Sequence, residues 1–146
     1  MGKAVSEIYI SISDLYYAYG DDTQPVLKGI SGDIYKGEML AIIGANGSGK
    51  STLIRHFNGM ITPSFGSVRV AGMDTSNKEN TWEIRRQVGL VFQNPDNQIL
   101  APVVEDDIAF GPENLGLESE EIKSRVAESL ALVGLDQLTN RMTHTL

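Results

Sequence analysis

The glycine-rich stretch at residues 44–51 holds the side chains whose types and spacing best suit chemistry. It fits the pattern G-x-x-x-x-G-K-[ST] at every fixed position. Its three glycines have no Cβ and reach positive φ, so successive backbone N–H groups can surround an anion. Lys50 can contact the β- and γ-phosphate oxygens of a nucleotide, and Ser51 can give its hydroxyl oxygen to Mg²⁺. The stretch therefore predicts a site for a nucleoside triphosphate and its metal ion. The residues expected to contact it are Gly44, Ala45, Asn46, Gly47, Ser48, Gly49, Lys50, Ser51 and Thr52.

Two flanking segments must position this loop. Residues 39–43 form a short apolar run typical of a strand, and residues 52–59 suit a helix that ends at Asn58-Gly59. A helix that starts directly after the loop aims its unpaired N–H groups at the phosphates. The pattern arises by accident in roughly 1% of chains of this length. A glycine-rich turn without a ligand is the alternative interpretation.

Composition limits the classes of function. The chain has 146 residues, 41% of them apolar, which suits one globular domain. Its formal net charge of -7 disfavours a nucleic-acid partner, which usually requires a basic surface. There is no cysteine, so thiolate metal sites and disulfides are excluded. No stretch approaches the roughly 20 apolar residues of a membrane span, so membrane association is expected to go through a partner.

The residues around the loop predict a β-layer and a buried core strand. Strand patterns occupy residues 8–15 and 67–71, and residues 26–34 fit one strand or two. A short helix is predicted over residues 81–86, with Trp82, Ile84 and Val88 near its buried side. The next segment, residues 88–92, is almost wholly apolar, as in a parallel strand covered on both faces.

The last third of the sequence predicts helices. Residues 102–111 carry three carboxylates, at positions 105–107, in the expected first turn, where the macrodipole favours them. A metal site is the alternative for these carboxylates, although adjacent helical residues point in different directions. The next helix is expected to be capped by Ser119 and to end at Gly134. Its apolar stripe at helical spacing consists of Ile122, Val126, Leu130 and Val133.

One motif points to a different nucleotide. Residues 77–80 resemble the N-K-x-D motif with which guanine-nucleotide switches read their base. Asn80 stands where an Asp would accept from the guanine edge, and no apolar strand precedes the motif. We interpret the segment as a solvated turn.

The chain resembles the ATP-binding subunits of ABC transporters over essentially all of its residues. Three features carry the resemblance: the loop at residues 44–51, Tyr19 ahead of it, and Gln93 at the end of an apolar run. The resemblance implies that Tyr19 stacks on adenine, with ordinary packing in the β-layer as the alternative. It also implies that Lys50 and Gln93 serve catalysis and that Ser51 and Gln93 help to hold Mg²⁺.

Two runs make the resemblance more specific. Residues 91–98 and 104–114 are similar to those of the ATPases of energy-coupling factor (ECF) importers, which take up vitamins or transition-metal ions. This similarity implies ATP and Mg²⁺ as cofactors. It also implies a transmembrane coupling protein and a second ABC ATPase subunit as partners, at the cytoplasmic face of the cell membrane.

The implied fold class is α/β. It is the P-loop NTPase fold of the ABC ATPase type, with an antiparallel β-layer, a mixed or parallel core sheet and helices. Residues 1–146 are expected to be the amino-terminal part of one such domain, with the β-layer and loop core over about residues 1–93. The loop that begins at Gln93, called the Q-loop in this family, and a helical segment follow over about residues 93–146.

The sequence also departs from the family pattern. It contains no signature loop of the L-S-G-G-Q type and no Asp-Glu pair after a later strand. The family pattern also has a switch histidine, and neither His56 nor His144 fits its position. We therefore expect this chain alone to bind ATP without hydrolysing it. A nucleotide-binding module that never hydrolyses ATP and a soluble ABC-type ATPase are the competing hypotheses.

Overall fold

A computed structural model of the chain describes residues 7–20, 24–94 and 98–146. The turn expected at residues 21–23 and the part of the ECF-like run at residues 95–97 lie outside the described residues. The chain divides into two compact units, Met1–Leu90 and Val91–Leu146.

A four-stranded antiparallel sheet forms the framework of the first unit. Its strands are β1 (Ile8–Tyr17), β2 (Leu27–Tyr35), β3 (Phe65–Val70) and the short β4 (Met73–Asp74). They lie in the order β2-β1-β3-β4. The antiparallel β-layer is thus confirmed, with residues 27–35 as one strand rather than two.

A β-bulge keeps the apolar face of β1 continuous. Ile10 and Ile12 alternate inward and lie opposite Val70 and Val68 of β3. The register then shifts between Ile12 and Leu15, where Asp14 adopts a φ of 47°. The extra residue turns the completely buried Leu15 to the same side as the two isoleucines. This face provides much of the core of the unit.

Two helices accompany the sheet in the first unit. Helix α1 (Lys50–Phe57) follows the loop, and Asn58 caps its carboxyl end, as predicted. Helix α2 (Thr81–Gln87) buries Ile84 completely but leaves Trp82 54% exposed. The prediction for Trp82 is wrong because two successive steps of about 100° place it nearly opposite Ile84 on the helix. The guanine-like motif forms a short 3₁₀ turn over Lys78–Asn80 with exposed or half-buried residues.

Two predicted strands do not form a ladder. Residues 39–43 and 88–92 lie outside regular secondary structure. Their apolar character is partly used, because Ile42 and Val88 pack against the core of the unit, whereas Met39 is 98% exposed. A strand requires a hydrogen-bonded neighbour about 4.8 Å away. Among the described residues neither segment pairs with a neighbouring strand, so apolar sequence alone does not make them strands.

The second unit is helical. Helix α3 (Val104–Asn114) and helix α4 (Ser119–Val133) bury Val104, Val126 and Leu130 between them, with Ile122 packed alongside. Val133, predicted to belong to the buried stripe, is 63% exposed. It lies three residues beyond Leu130, in the last turn, where α4 reaches past this small core.

The ends of α4 test the capping predictions. Gly134 ends the helix in the left-handed conformation, with φ 70° and ψ 30°, as predicted. Ser119 is the first helical residue, whereas Glu118, in extended conformation, takes the N-cap position. The cap prediction for Ser119 is therefore wrong by one residue. The carboxylates of Glu120 and Glu121 still lie in the first turn, where the helix dipole favours them.

Candidate nucleotide-binding site

The glycine-rich loop has the backbone geometry predicted for an anion nest. Gly47 and Gly49 have φ values of 79° and 89°, in the left-handed region. The backbone N–H of Ser48 donates to the carbonyl of Ala45 at 3.2 Å and closes a turn. A Cβ added to Gly44 would lie 2.7 Å from Oγ of Ser48. The left-handed backbone at Gly47 and Gly49 therefore favours glycine, whereas at Gly44 a Cβ would meet only a side-chain hydroxyl.

Strand β2 fixes the end of the loop. A Cβ on Gly49 would lie 2.8 Å from Cδ2 of Leu27 and 3.4 Å from the carbonyl oxygen of Val26. Leu27 is itself almost completely buried. The absence of a side chain at Gly49 thus lets the start of α1 approach the start of β2.

Helix α1 begins with an uncapped amino end. Gly49 occupies the N-cap position and provides no side-chain hydrogen bond. The first intrahelical bond runs from the N–H of Leu53 to the carbonyl of Gly49 at 2.8 Å. The N–H groups before Leu53 have no intrahelical acceptor, as at any helix start. They point out of the helix end that carries the partial positive charge.

Lys50 folds back over the loop. Its Nζ donates to the carbonyl oxygens of Gly44 and Ala45, each at 2.8 Å. The ammonium group is thereby held at the same loop whose backbone N–H groups form the nest. This arrangement concentrates positive charge where a polyphosphate would be bound.

Tyr19, which precedes the loop in the sequence, contacts the same helix. Its hydroxyl oxygen lies 3.1 Å from Oγ1 of Thr52, which is buried in the first turn of α1. Tyr19 as a whole remains 41% exposed. The structure therefore brings Tyr19 to the helix that follows the loop, with ring surface left for a further contact.

Two residues beside the site were missed by the sequence analysis. His56 is completely buried, and its Nδ1 donates to the carbonyl of Thr52 at 2.8 Å. Its ring meets that of Tyr17 edge to face at 4.9 Å between centroids, and Tyr17 meets Tyr19 in the same way, also at 4.9 Å. The only available signals were the i, i+4 spacing of Thr52 and His56 and the i, i+2 spacing of the two tyrosines.

Burial sets the protonation of His56. Desolvation lowers the pKa of the imidazole below its ordinary value of 6.5, and hydrogen bonding to the backbones of Thr52 and Thr62 partly opposes this. The Thr52 carbonyl can only accept, so Nδ1 carries the proton. His56 is thus a neutral, buried side chain of the site.

The two predicted metal ligands, Ser51 and Gln93, belong to different units of the chain. Ser51 is exposed in the first turn of α1. Gln93 is exposed and belongs to the second unit, whereas the loop belongs to the first, so its roles in Mg²⁺ binding and catalysis remain predictions. Within residues 7–20, 24–94 and 98–146, no group of three or more His, Asp or Glu side chains could hold a metal ion. The carboxylates at positions 105–107 do not form such a group.

Comparison with known proteins decides the family. The sequence profile of the ABC transporter family matches residues 27–146. The chain belongs to this family. ABC transporter relatives that are similar to it include the energy-coupling factor transporter ATP-binding protein EcfA1 of Symbiobacterium thermophilum, 53% identical over 94% of this chain and 50% of that protein. The cobalt import ATP-binding protein CbiO of Syntrophus aciditrophicus is 50% identical over 94% of this chain and 49% of that protein.

A solved ABC transporter component has the same fold. CbiO1 of Clostridium perfringens, part of the ABC transporter complex CbiONQ, superposes with a TM-score of 0.83 at 38% identity. The match covers 96% of this chain and 56% of CbiO1. The predicted α/β fold class of the ABC ATPase type and the ECF resemblance are confirmed.

The chain spans about half the length of the curated relatives it matches. None of the helices described here has the length and apolar character needed to cross a membrane.

Proposed function

We propose that this chain binds ATP together with Mg²⁺ as part of an ECF-type ABC transporter ATPase. The observation that carries the proposal is the position of Lys50. Its Nζ is held 2.8 Å from two carbonyls of a glycine loop that leads directly into the uncapped start of α1. Backbone dipoles and one ammonium group converge there, which suits a polyphosphate and no neutral ligand.

The chain's own residues take distinct parts in this binding. The backbone of residues 44–51 holds the phosphates, and Lys50 exchanges its carbonyl contacts for β- and γ-phosphate oxygens. The exposed part of the Tyr19 ring stacks on the adenine. Mg²⁺ supplies charge neutralisation on the phosphate oxygens when bound. Ser51, exposed in the first turn of α1, would offer this ion one hydroxyl ligand.

For the whole transporter, we propose that ATP hydrolysis drives uptake of a metal ion or a vitamin. The support comes from the relatives, whose names include energy-coupling factor transport and cobalt import. The partners are then a transmembrane coupling protein and a second ABC ATPase subunit, at the cytoplasmic face of the membrane. Gln93 links the nucleotide site to the membrane partner in this proposal.

For the 146-residue chain alone, we propose binding without turnover. Phosphoryl transfer to water requires an oriented water molecule and distributed charge in addition to a bound phosphate. The sequence holds the loop but neither an L-S-G-G-Q-type signature nor an Asp-Glu pair after a later strand.

Two measurements on the same preparation test this proposal. Calorimetric titration with ATP and Mg²⁺ is expected to show saturable binding at one site per chain. A phosphate-release assay is expected to show no more than the background rate, equal to that of Lys50→Ala. Linear release over many turnovers, well above that of the variant, would show that the catalytic groups have been assigned wrongly.

A further inference from the structure

Four side chains beside the loop form a closed cycle of contacts, which we call the Tyr-His cycle: Tyr17, Tyr19, Thr52 and His56. The Tyr19 hydroxyl and Oγ1 of Thr52 are 3.1 Å apart. The Thr52 carbonyl accepts from Nδ1 of His56 at 2.8 Å. The rings of His56 and Tyr17, and those of Tyr17 and Tyr19, meet edge to face at interplanar angles of 82° and 88°. Every member therefore has two contacts within the cycle.

Burial decreases around the cycle towards the predicted adenine contact. His56 is completely buried, Thr52 is 7% exposed, Tyr17 is half-buried, and Tyr19 is 41% exposed. Only the last ring offers substantial surface to a ligand. Two contacts hold this side chain, one at its hydroxyl with Thr52 and one at its ring with Tyr17. The buried members thus determine where the exposed ring lies relative to α1.

We propose that Tyr17 and His56 are positioning residues that hold the Tyr19 ring ready for a nucleobase and thereby set the preference for ATP over a base-free polyphosphate. The inference rests on the proposed function, since it assumes that Tyr19 contacts the base. Neither residue needs to touch the nucleotide. Ordering a side chain before binding removes the entropy that a free tyrosine would lose on contact with the base.

A purely structural role for these residues makes a different prediction. If they only fill the core, a substitution that destabilises the unit also perturbs the loop and weakens all binding there. Affinity for ATP and for inorganic triphosphate then falls by the same factor, because both ligands use residues 44–51. If they position Tyr19, only the ligand that carries a base is affected. The ratio of the two affinities separates these roles.

The central comparison is Tyr17→Leu against Tyr17→Phe. Leucine removes both ring contacts of the cycle, whereas phenylalanine keeps a ring at the same place. Tyr16→Leu is the matched control, because it removes a neighbouring aromatic ring of β1 that pairs with Phe65 outside the cycle. His56→Phe forms a second test that keeps a ring beside Tyr17 and loses the hydrogen bond to the Thr52 carbonyl. If one variant fails to fold, the other still decides the question.

Each variant is titrated with ATP and with inorganic triphosphate, both with Mg²⁺. In Tyr17→Leu we expect ATP affinity to fall by about 3- to 10-fold, with triphosphate affinity changed by less than about 2-fold. Tyr17→Phe and Tyr16→Leu are expected to keep the wild-type ratio. A wild-type ratio of the two affinities in Tyr17→Leu and in His56→Phe would overturn the inference, whether both affinities are kept or both fall by the same factor. A wild-type chain that binds neither ligand would instead overturn the proposed function.

Discussion

Oγ1 of Thr52 lies 3.1 Å from the hydroxyl oxygen of Tyr19, 33 positions earlier in the chain. This contact ties the segment after β1 to the first turn of α1, the helix that starts at the phosphate loop. The residue predicted to meet the base and the helix predicted to meet the phosphates are thereby held together.

Substitution of Tyr19 tests its contact with the base. Tyr19→Ala is expected to weaken ATP binding by ~1–2 kcal/mol, since one stacking contact is lost among several interactions. Tyr19→Phe keeps the ring but loses the hydroxyl that meets Thr52, so we expect a smaller loss. Calorimetric titration of the two variants beside the wild-type chain measures both effects. An ATP affinity in Tyr19→Ala equal to that of the wild type would refute the adenine role.

Two glycines of the loop provide a matched pair for stability. A residue other than glycine in the left-handed region costs about 1–2 kcal/mol, and Gly47 and Gly49 both lie there. Open space surrounds a Cβ at Gly47, whereas one at Gly49 would lie 2.8 Å from Leu27. We expect Gly49→Ala to lower the free energy of unfolding by about 2–4 kcal/mol in total, more than Gly47→Ala. Urea denaturation measures the difference, and equal losses would show that the approach to Leu27 is unimportant.

The lowered pKa of His56 predicts a dependence of stability on pH. Because burial lowers the pKa in the folded state, the unfolded chain binds this proton more readily as the pH falls below the ordinary value of 6.5. The folded state therefore loses stability through the window from 6.5 down to the lower, folded pKa. Thermal midpoints of the wild type and of His56→Phe across this range measure the effect. The variant is expected to lack the part of the decrease due to His56, and parallel curves would contradict the assignment.

Elements with local signals were predictable from the sequence. The loop pattern, the strand at β1, the helix after the loop and the stop at Gly134 all depend on spacing or on glycine chemistry within a few residues. They appear in the structure near their predicted bounds. The antiparallel β-layer followed from the same strand patterns.

Features that depend on distant neighbours were not predictable in this way. Residues 39–43 and 88–92 have strand-like composition, but among the described residues neither segment joins a strand ladder. The burial of His56 and its place beside Tyr17 depend on the packing of α1 against β1, which no local pattern encodes. The exposure of Trp82 and Val133 depends equally on where each helix meets its core.

Exposed apolar side chains before the loop predict self-association of the 146-residue chain. Met39 and Ile43 are 98% and 92% exposed, and Leu40 between them is 52% exposed. Exposed apolar segments that do not belong to a sheet favour association with another chain. We expect sedimentation velocity to show larger species as protein concentration rises. The double variant Met39→Lys, Ile43→Lys is expected to remain monomeric at concentrations where the wild type associates. Association of both proteins to the same degree would assign the contact to another surface.

Titration of Lys50→Ala with ATP and Mg²⁺ tests the central claim most directly. The control is Lys36→Ala, which removes an equal charge from an exposed pair with Glu7 at 3.3 Å, on the surface of the same unit. We predict that Lys50→Ala weakens ATP binding by ~2–4 kcal/mol, because charge-assisted contacts to the phosphates are lost. Lys36→Ala is expected to bind like the wild type. An ATP affinity in Lys50→Ala equal to that of the wild type and of the control would contradict the assignment of residues 44–51 as the nucleotide site.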